Sequence, residues 1–230
     1  MNVEDIRQYI SPILNSNMFL IRNGAEALVI DPHISEEALA YLRERGVRKV
    51  LILLTHEHYD HTSGIMWLTG CFESTLICQS AAAKSLRSGR NSRPIVMASQ
   101  WVNHLDDALM RFYIHSLPNG YTYEADIVFE SEKTVSWQGH TVHFVHTPGH
   151  SPGSCCIELN GEVIATGDSL IRHTPVITRF PGGSEKDFLE QAVPYLEGIR
   201  KGTWILPGHG ETFRFCSEDL EDCLRKIRRP

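Results

Sequence analysis

His56, His58, Asp60 and His61 bring three imidazoles and a carboxylate into six residues, within Thr55-His56-Glu57-His58-Tyr59-Asp60-His61. Imidazole nitrogen and carboxylate oxygen are donor types that hold zinc, iron or manganese. In an extended stretch His56 and His58 point the same way, because side chains alternate with a period of two. Asp60 and His61 can then turn toward a second position, so the spacing suggests two adjacent metal ions rather than one. The competing reading is a polar loop whose histidines only hydrogen-bond, and so many ligand types in so short a stretch argue against it. Tyr59, inside the motif, is expected to pack.

Three further loops each offer one ligand beside glycine. Thr147-Pro148-Gly149-His150-Ser151-Pro152-Gly153-Ser154 surrounds His150, Thr166-Gly167-Asp168-Ser169 carries Asp168, and Pro207-Gly208-His209-Gly210 carries His209. Each is weak alone, since a histidine beside glycine is usually a turn residue. With the first cluster they supply seven ligands at four strand ends.

The elements that position these residues follow from short apolar runs and turn signals. Met18–Ile21 and Ala27–Ile30 flank an Asn-Gly turn, and Val50–Leu54 delivers the first cluster to a loop. Ser35 opens a helix with Glu36 and Glu37 in its first turn and Gly46 beyond its end. A short helix around Ile65–Leu68 and a strand at Thr75–Cys78 follow. After residue 126 the chain turns strand-rich: Ile127–Phe129, Thr134-Val135, Thr141–Val145, Ser154–Leu159 and Val163–Ala165, with tight turns at Gln138-Gly139 and Asn160-Gly161. Ser184 and Asp187 form a capping box for a helix around Phe188–Leu196 that Pro194 should kink or shorten. Thr203–Leu206 is the last expected strand, and a helix with Leu220, Cys223, Leu224 and Ile227 on one face closes the chain. Two strand-rich halves, each followed by helix, pack most naturally as two sheets face to face with helices outside. No composition break marks a linker, so residues 1–230 are expected to form one domain.

Residues of about 84–125 are less regular. Lys84, Arg87, Arg90 and Arg93 occur with no acid among them, and Trp101, Phe112, Tyr113, Tyr121 and Tyr123 follow. This excursion is either a solvated insertion or a lid whose basic group draws in an anionic substrate.

The net charge of -6 supplies no basic field for nucleic acid or an anionic membrane. No apolar run approaches the length of a membrane span. The six cysteines show no C-x-x-C spacing, and the acidic start Met1-Asn2-Val3-Glu4-Asp5 carries no secretory pattern. A reducing, cytoplasmic setting is the expectation.

H-x-H-x-D-H at 56–61, followed in order by His150, Asp168 and His209, resembles the metallo-β-lactamase-fold hydrolases. Thr-Pro-Gly-His-Ser-Pro-Gly-Ser and Pro-Gly-His-Gly look most like the type II glyoxalase (hydroxyacylglutathione hydrolase) branch. The resemblance implies an α/β fold, a four-layer αββα sandwich. It implies that His56, His58 and His150 hold one metal, that Asp60, His61 and His209 hold the other, and that Asp168 bridges both. Zinc is the expected ion, with iron or manganese as alternatives. Asp31 is similar to the family's aspartate that braces the ligand loops. The implied activity is attack on an acyl bond, foremost a thioester of a small molecule, with Asp60 and Asp168 orienting the attacking water. A lactonase or another ester hydrolase would use the same residues and chemistry, and an iron-dependent persulfide dioxygenase would use one iron with a smaller set of them.

Three departures stand out. His33 replaces the glycine usual after Asp-Pro. His61 and His150 are unusually far apart. Only a short segment follows His209, where glutathione hydrolases of that branch carry a helical domain. Of the other histidines, His104, His115, His140, His143 and His146 are expected to be structural or superficial, and His173 is a candidate substrate contact. Cys155 and Cys156 are expected as buried thiols.

Overall fold

The computed structural model describes residues 5–12, 14–89 and 120–227, and within them the apolar runs assemble into two six-stranded sheets. Across the first lie β1 (Ile6–Ile10), β2 (Asn17–Asn23), β3 (Glu26–Ile30), β4 (Lys49–Leu53), β5 (Glu73–Gln79) and β6 (Ile127–Phe129), in that order. The first three are antiparallel, and β3 through β6 run parallel. Across the second lie β7 (Glu132–Trp137), β8 (His140–His146), β9 (Cys155–Leu159), β10 (Val163–Gly167), β11 (Trp204–Pro207) and β12 (Phe213–Arg214). Here only the β10–β11 pair is parallel.

Strands buried on both faces read as unbroken apolar runs, and β3 and β4 show why. Leu28, Ile30 and Leu53 enter a core between the sheets, together with Phe19, Phe144, Ile157 and Leu206. Ala27, Val29 and Ile52 face the other way, against helices α1 (Glu36–Glu44), α3 (Ile65–Cys71) and α4 (Ser80–Ser88). A third cluster packs the outer face of the second sheet under helix α5, over 185–197, and helix α6 (Ser217–Leu224). The order is therefore helix, sheet, sheet, helix. Each fully buried aliphatic or aromatic side chain contributes roughly 1.5–3 kcal/mol, and a one-residue slip in register would turn a strand's inner set outward. Strand ends, and the loops on them, are fixed by this packing.

Ser35 caps α1 by accepting from Ala38 N–H. Gln138 and Gly139, with φ of 49° and 79°, close the β7–β8 hairpin, and Asn160 and Gly161, at 53° and 67°, close β9–β10. Pro194 acts differently from expectation. The helix runs through it, but Phe188–Ala192 form a π-helical turn immediately before, with Val193 N–H bonded to Phe188 O. A proline lacks the N–H that would continue the ladder, and the wider turn absorbs the mismatch.

Helix α4 extends through Ser88, so Lys84 and Arg87 lie on a regular outer helix that buries Ala82, Ala83 and Leu86. Arg87 is paired at 3.0 Å with Glu124, an acid supplied from the far side of the excursion. Arg90, Arg93, Trp101, His104, Phe112, Tyr113 and His115, and the lid expectation that rests on them, lie outside the described residues. Tyr121 is described: its hydroxyl donates to Thr62 O at 2.8 Å, on the short helix α2 (Tyr59–Thr62). No helix among the described residues is long and apolar enough to cross a membrane.

Candidate metal centre

Five loops leave the same edge of the two sheets, after β3, β4, β8, β10 and β11, and carry Asp31, the 56–61 cluster, His150, Asp168 and His209. The sheets are stitched together there, because Cys155 N–H donates to Thr55 O at 2.8 Å. All seven candidate donors converge. His56 Nε2 lies 3.1 Å from His58 Nδ1, which lies 3.0 Å from His150 Nε2. Asp60 Oδ2 lies 3.2 Å from both His61 Nε2 and His209 Nε2. Asp168 stands between the sets, with Oδ1 3.5 Å from His61 Nε2 and Oδ2 3.4 Å from His150 Nε2 and 3.6 Å from His209 Nε2.

The ring tautomers follow from the outer contacts. His150 Nδ1 donates to Ile177 O at 2.8 Å and His209 Nδ1 to Asn15 O at 2.7 Å, since a carbonyl can only accept. His61 Nδ1 faces Asp31 Oδ2 at 3.0 Å. Thr55 Oγ1 gives its proton to Asp31 and so accepts from His56 Nδ1. The inward nitrogens of His56 and His150, rings that burial keeps neutral near pH 7, are thereby left as lone pairs, the form a metal requires, while His61 and His209 reach that form on losing a proton. Facing lone pairs repel unless a cation lies among them. His61 Nε2 and Asp168 Oδ1 are buried without any hydrogen-bond partner, an expense a fold seldom tolerates except at a functional centre. The donor types and these orphaned atoms fit metal ions, and the triads His56/His58/His150 and Asp60/His61/His209 have the compactness of ligand sets.

The two sets differ electrostatically. Burial, reinforced by neighbouring imidazoles, pushes His56 well down, and it holds His58 down at about 4. Burial also lowers His150, although Asp168 opposes it. For His209 burial is outweighed by Asp168 and Asp60, which raise it to about 9. His61 is likewise raised, by Asp60 and Asp168 against burial. Burial would raise Asp60, but His61 and His209 hold it well below the usual carboxylate range, and Asp168 is lowered in the same way.

Asp31 takes the bracing place that the resemblance implied, and Asn17, Ser16 and Phe180 join it as supports that carried no sequence signal. Asp31, with φ of 53°, accepts from Thr55 N–H and Oγ1 as well as His61, and so braces the first ligand loop. Asn17 Nδ2 donates to Pro207 O and Gly210 O, Asn17 N–H donates to Gly208 O, and Ser16 Oγ donates to Asp60 O. The start of β2 thus holds the His209 and Asp60 loops. Phe180 stands edge-on to His58 and His150, with ring centroids 5.7 and 5.8 Å away, and shields that side. His33 is buried, its ring nitrogens 3.1 Å from Tyr9 O and 3.0 Å from Ile34 O, tying β1 to the Asp31 loop.

His173 does not join the site. Its side chain is 79% exposed and bonds Asp222 on the outer helix α6. His140, His143 and His146 bond Asn160, Thr134 and the Pro152 carbonyl. Tyr59 is buried, and burial pushes the Cys156 thiol up to about 12, so it is no nucleophile.

Residues 12–209, which include every candidate donor, match the metallo-beta-lactamase superfamily. The chain belongs to that superfamily. A hydroxyacylglutathione hydrolase of Anaeromyxobacter dehalogenans is 27% identical over 83% of this chain and 60% of its own length. The acyl-coenzyme A thioesterase MBLAC2 of Gallus gallus is 24% identical over 86% of this chain and 73% of its own. The crystal structure of TTHA1623 in a di-iron-bound form superposes with a TM-score of 0.70 at 22% identity, covering 90% of this chain and 94% of that one. The αββα layering is that of the superfamily, whose members are typically metal-dependent hydrolases.

Proposed function

We propose that this superfamily member is a binuclear metal-dependent hydrolase of acyl bonds, with thioesters as its substrate class. The observation that carries the proposal is the pair of three-donor sets with the Asp168 carboxylate between them. His56, His58 and His150 would hold one divalent ion, Asp60, His61 and His209 the other, and Asp168 would touch both. Two such ions supply Lewis acidity to a carbonyl oxygen and bring the pKa of a shared water toward neutrality. Asp60 and Asp168, both kept ionised, accept hydrogen bonds from a water between the sets and turn its lone pair toward the carbonyl. Phe180 keeps bulk water from the His58 and His150 side. A thiol leaving group, with a pKa of about 8.5, departs as thiolate without a protein acid. The names of the two relatives, an acyl-coenzyme A thioesterase and a hydroxyacylglutathione hydrolase, support the substrate class. A mononuclear iron dioxygenase would leave the buried Asp60/His61/His209 set without a role.

Elemental analysis coupled to a panel of acyl-coenzyme A, acyl-glutathione, lactone and phosphodiester substrates tests this. The expected result is two metals per chain and thioesters cleaved fastest. Full activity in metal-free protein overturns the metal assignment, and faster lactone cleavage overturns the substrate class. Oxygen uptake with a persulfide would point to the dioxygenase.

Proton linkage gives an independent check. The lowered pKa values of His56, His58 and His150 mean that near pH 7 this set is neutral and binds metal without releasing protons. The raised values of His61 and His209 mean that the other set must first lose protons. In the metal-free protein, stability from the lowered histidines falls as pH drops from 6.5 toward about 4, where the unfolded chain takes up protons that folded His58 refuses. Stability from His209 runs the other way, being full below 6.5 and lost as pH rises through about 9. Calorimetric metal titration in buffers of different ionisation enthalpy should therefore show one equivalent binding with little proton release and the other with substantial release. Equal release for both equivalents contradicts the assignment.

A further inference from the structure

We propose that Glu57 is a positioning residue for the His56/His58/His150 set, and that its buried carboxylate clamps the His150 loop to the first ligand loop. The inference rests on the reading of that set as a metal site. Glu57 lies between two candidate ligands yet is not one itself, since neighbouring side chains on an extended stretch point to opposite sides. Its side chain is buried, and its oxygens face the 150–154 turn rather than the histidines. Ser151 Oγ donates to Glu57 Oε2 at 2.9 Å, and Gly153 N–H donates to the same oxygen at 3.1 Å.

That turn is locked internally. Ser154 Oγ accepts from Ser151 N–H at 3.1 Å and lies 2.8 Å from Ser151 Oγ. With the Ser151 proton committed to Glu57, the Ser154 proton goes to Ser151 Oγ, and the circuit closes. His150 immediately precedes this circuit. Its ring rotation is set separately, by Nδ1 donating to Ile177 O. Glu57 therefore governs where the His150 backbone sits relative to His56 and His58, and the Ile177 carbonyl governs how the ring is turned. Gly153 leaves no slack: a Cβ there would clash with Glu57 Oε2 and stand 2.6 Å from Ala82 N of helix α4. Gly153 is wedged between the Glu57 carboxylate and the outer helix layer.

A clamp and a mere negative charge make different demands. A glutamine at position 57 keeps an oxygen able to accept from both Ser151 and Gly153 and removes the charge. Alanine at position 57 removes both, and Ser151→Ala removes one strand of the clamp and keeps the charge. The experiment is cobalt(II) titration of metal-free protein, read by the visible absorption of the bound ion and by chelator competition. Glu57→Ala and Ser151→Ala should weaken one of the two equivalents about 10- to 100-fold, the range for groups that orient a metal ligand. They should also shift its spectrum, and Glu57→Gln should stay near wild type. The inference is overturned if Glu57→Gln falls with Glu57→Ala while Ser151→Ala is unaffected, because charge then operates and not the clamp. It is also overturned if the variants lose melting temperature while affinity and spectrum are unchanged. Should Glu57→Ala fail to fold, Ser151→Ala and Glu57→Gln decide between the same outcomes. Wild-type protein that takes up no cobalt sinks the metal reading and this inference together, whereas variant behaviour sinks this inference alone.

Discussion

Asp168→Ala is expected to lower kcat/KM at least about 1,000-fold, some 4 kcal/mol of lost transition-state stabilisation, and to leave the chain holding fewer than two metals. Among the described residues, Asp168 is the one carboxylate paired within 3.6 Å with nitrogens from both ligand sets, at His61, His150 and His209. On the proposed assignment, removing it takes a donor from each set at once, along with an acceptor that would orient the attacking water. Asp168→Asn separates two contributions: the amide retains the volume and one oxygen but not the charge. It should therefore retain the fold, bind metal more weakly and remain far below wild-type activity.

A second readout does not depend on metal. Burial pushes His209 down, and Asp168 is the foremost influence raising it to about 9. In metal-free Asp168→Ala the His209 titration, followed by NMR, should move to lower pH, while His58 stays near its value of about 4 because burial dominates there. An Asp168→Ala protein with two bound metals and activity within about tenfold of wild type, a loss typical of outer positions, would refute the central role given to this carboxylate.

The parts of this molecule that were legible in its sequence are those whose cause is local. Apolar runs of strand length became strands, and Gln138-Gly139 and Asn160-Gly161 became tight turns because those residues tolerate positive φ. The residues that converge at the candidate centre were legible because four of them crowd into 56–61, and His150, Asp168 and His209 gained weight only beside that cluster. β1 was not, since Ile6–Ile10 alternates with Arg7 and Gln8, and only Tyr9 in it is fully buried. Its place comes from pairing with β2. The two-residue strand β12 is defined by its pairing with β11 in the same way.

The supports of the site were hidden for a related reason. His209 leans on a backbone carbonyl 194 positions away in sequence, and His150 on one 27 away. A carbonyl carries no residue signature. Asn17 and Thr55 are ordinary polar residues until the fold brings Pro207, Gly210 and Asp31 to them. His173 misled by proximity in sequence: a left-handed φ of 57° turns the chain so that its ring meets Asp222 on the outside.

Gly208→Ala is expected to damage the centre almost as severely as loss of a ligand, with activity down at least about 100-fold and reduced metal content. Gly208 does not occupy a positive-φ conformation, so alanine is acceptable there on backbone grounds. The obstacle is space. A Cβ would run into Asp168 Oδ1 and would lie 2.9 Å from His61 Cε1 and 3.0 Å from Gly167 C. The backbone cannot withdraw, because Gly208 N–H donates to Gly167 O at 2.8 Å and its carbonyl accepts from Asn17 N–H at 2.7 Å. The Asp168 carboxylate is the group free to yield, and it yields by leaving its place between the two sets. Gly210, two residues on, supplies the matched comparison. It has φ of 79° and nothing within 4 Å of an added Cβ. Gly210→Ala should therefore cost more than about 1 kcal/mol of stability through backbone strain while metal stoichiometry and kcat stay near wild type. Measured side by side, the two alanines separate a steric demand of the metal centre from a conformational demand of its loop. Equal losses of melting temperature in both, with metal content preserved in both, would show that Gly208 serves only the fold.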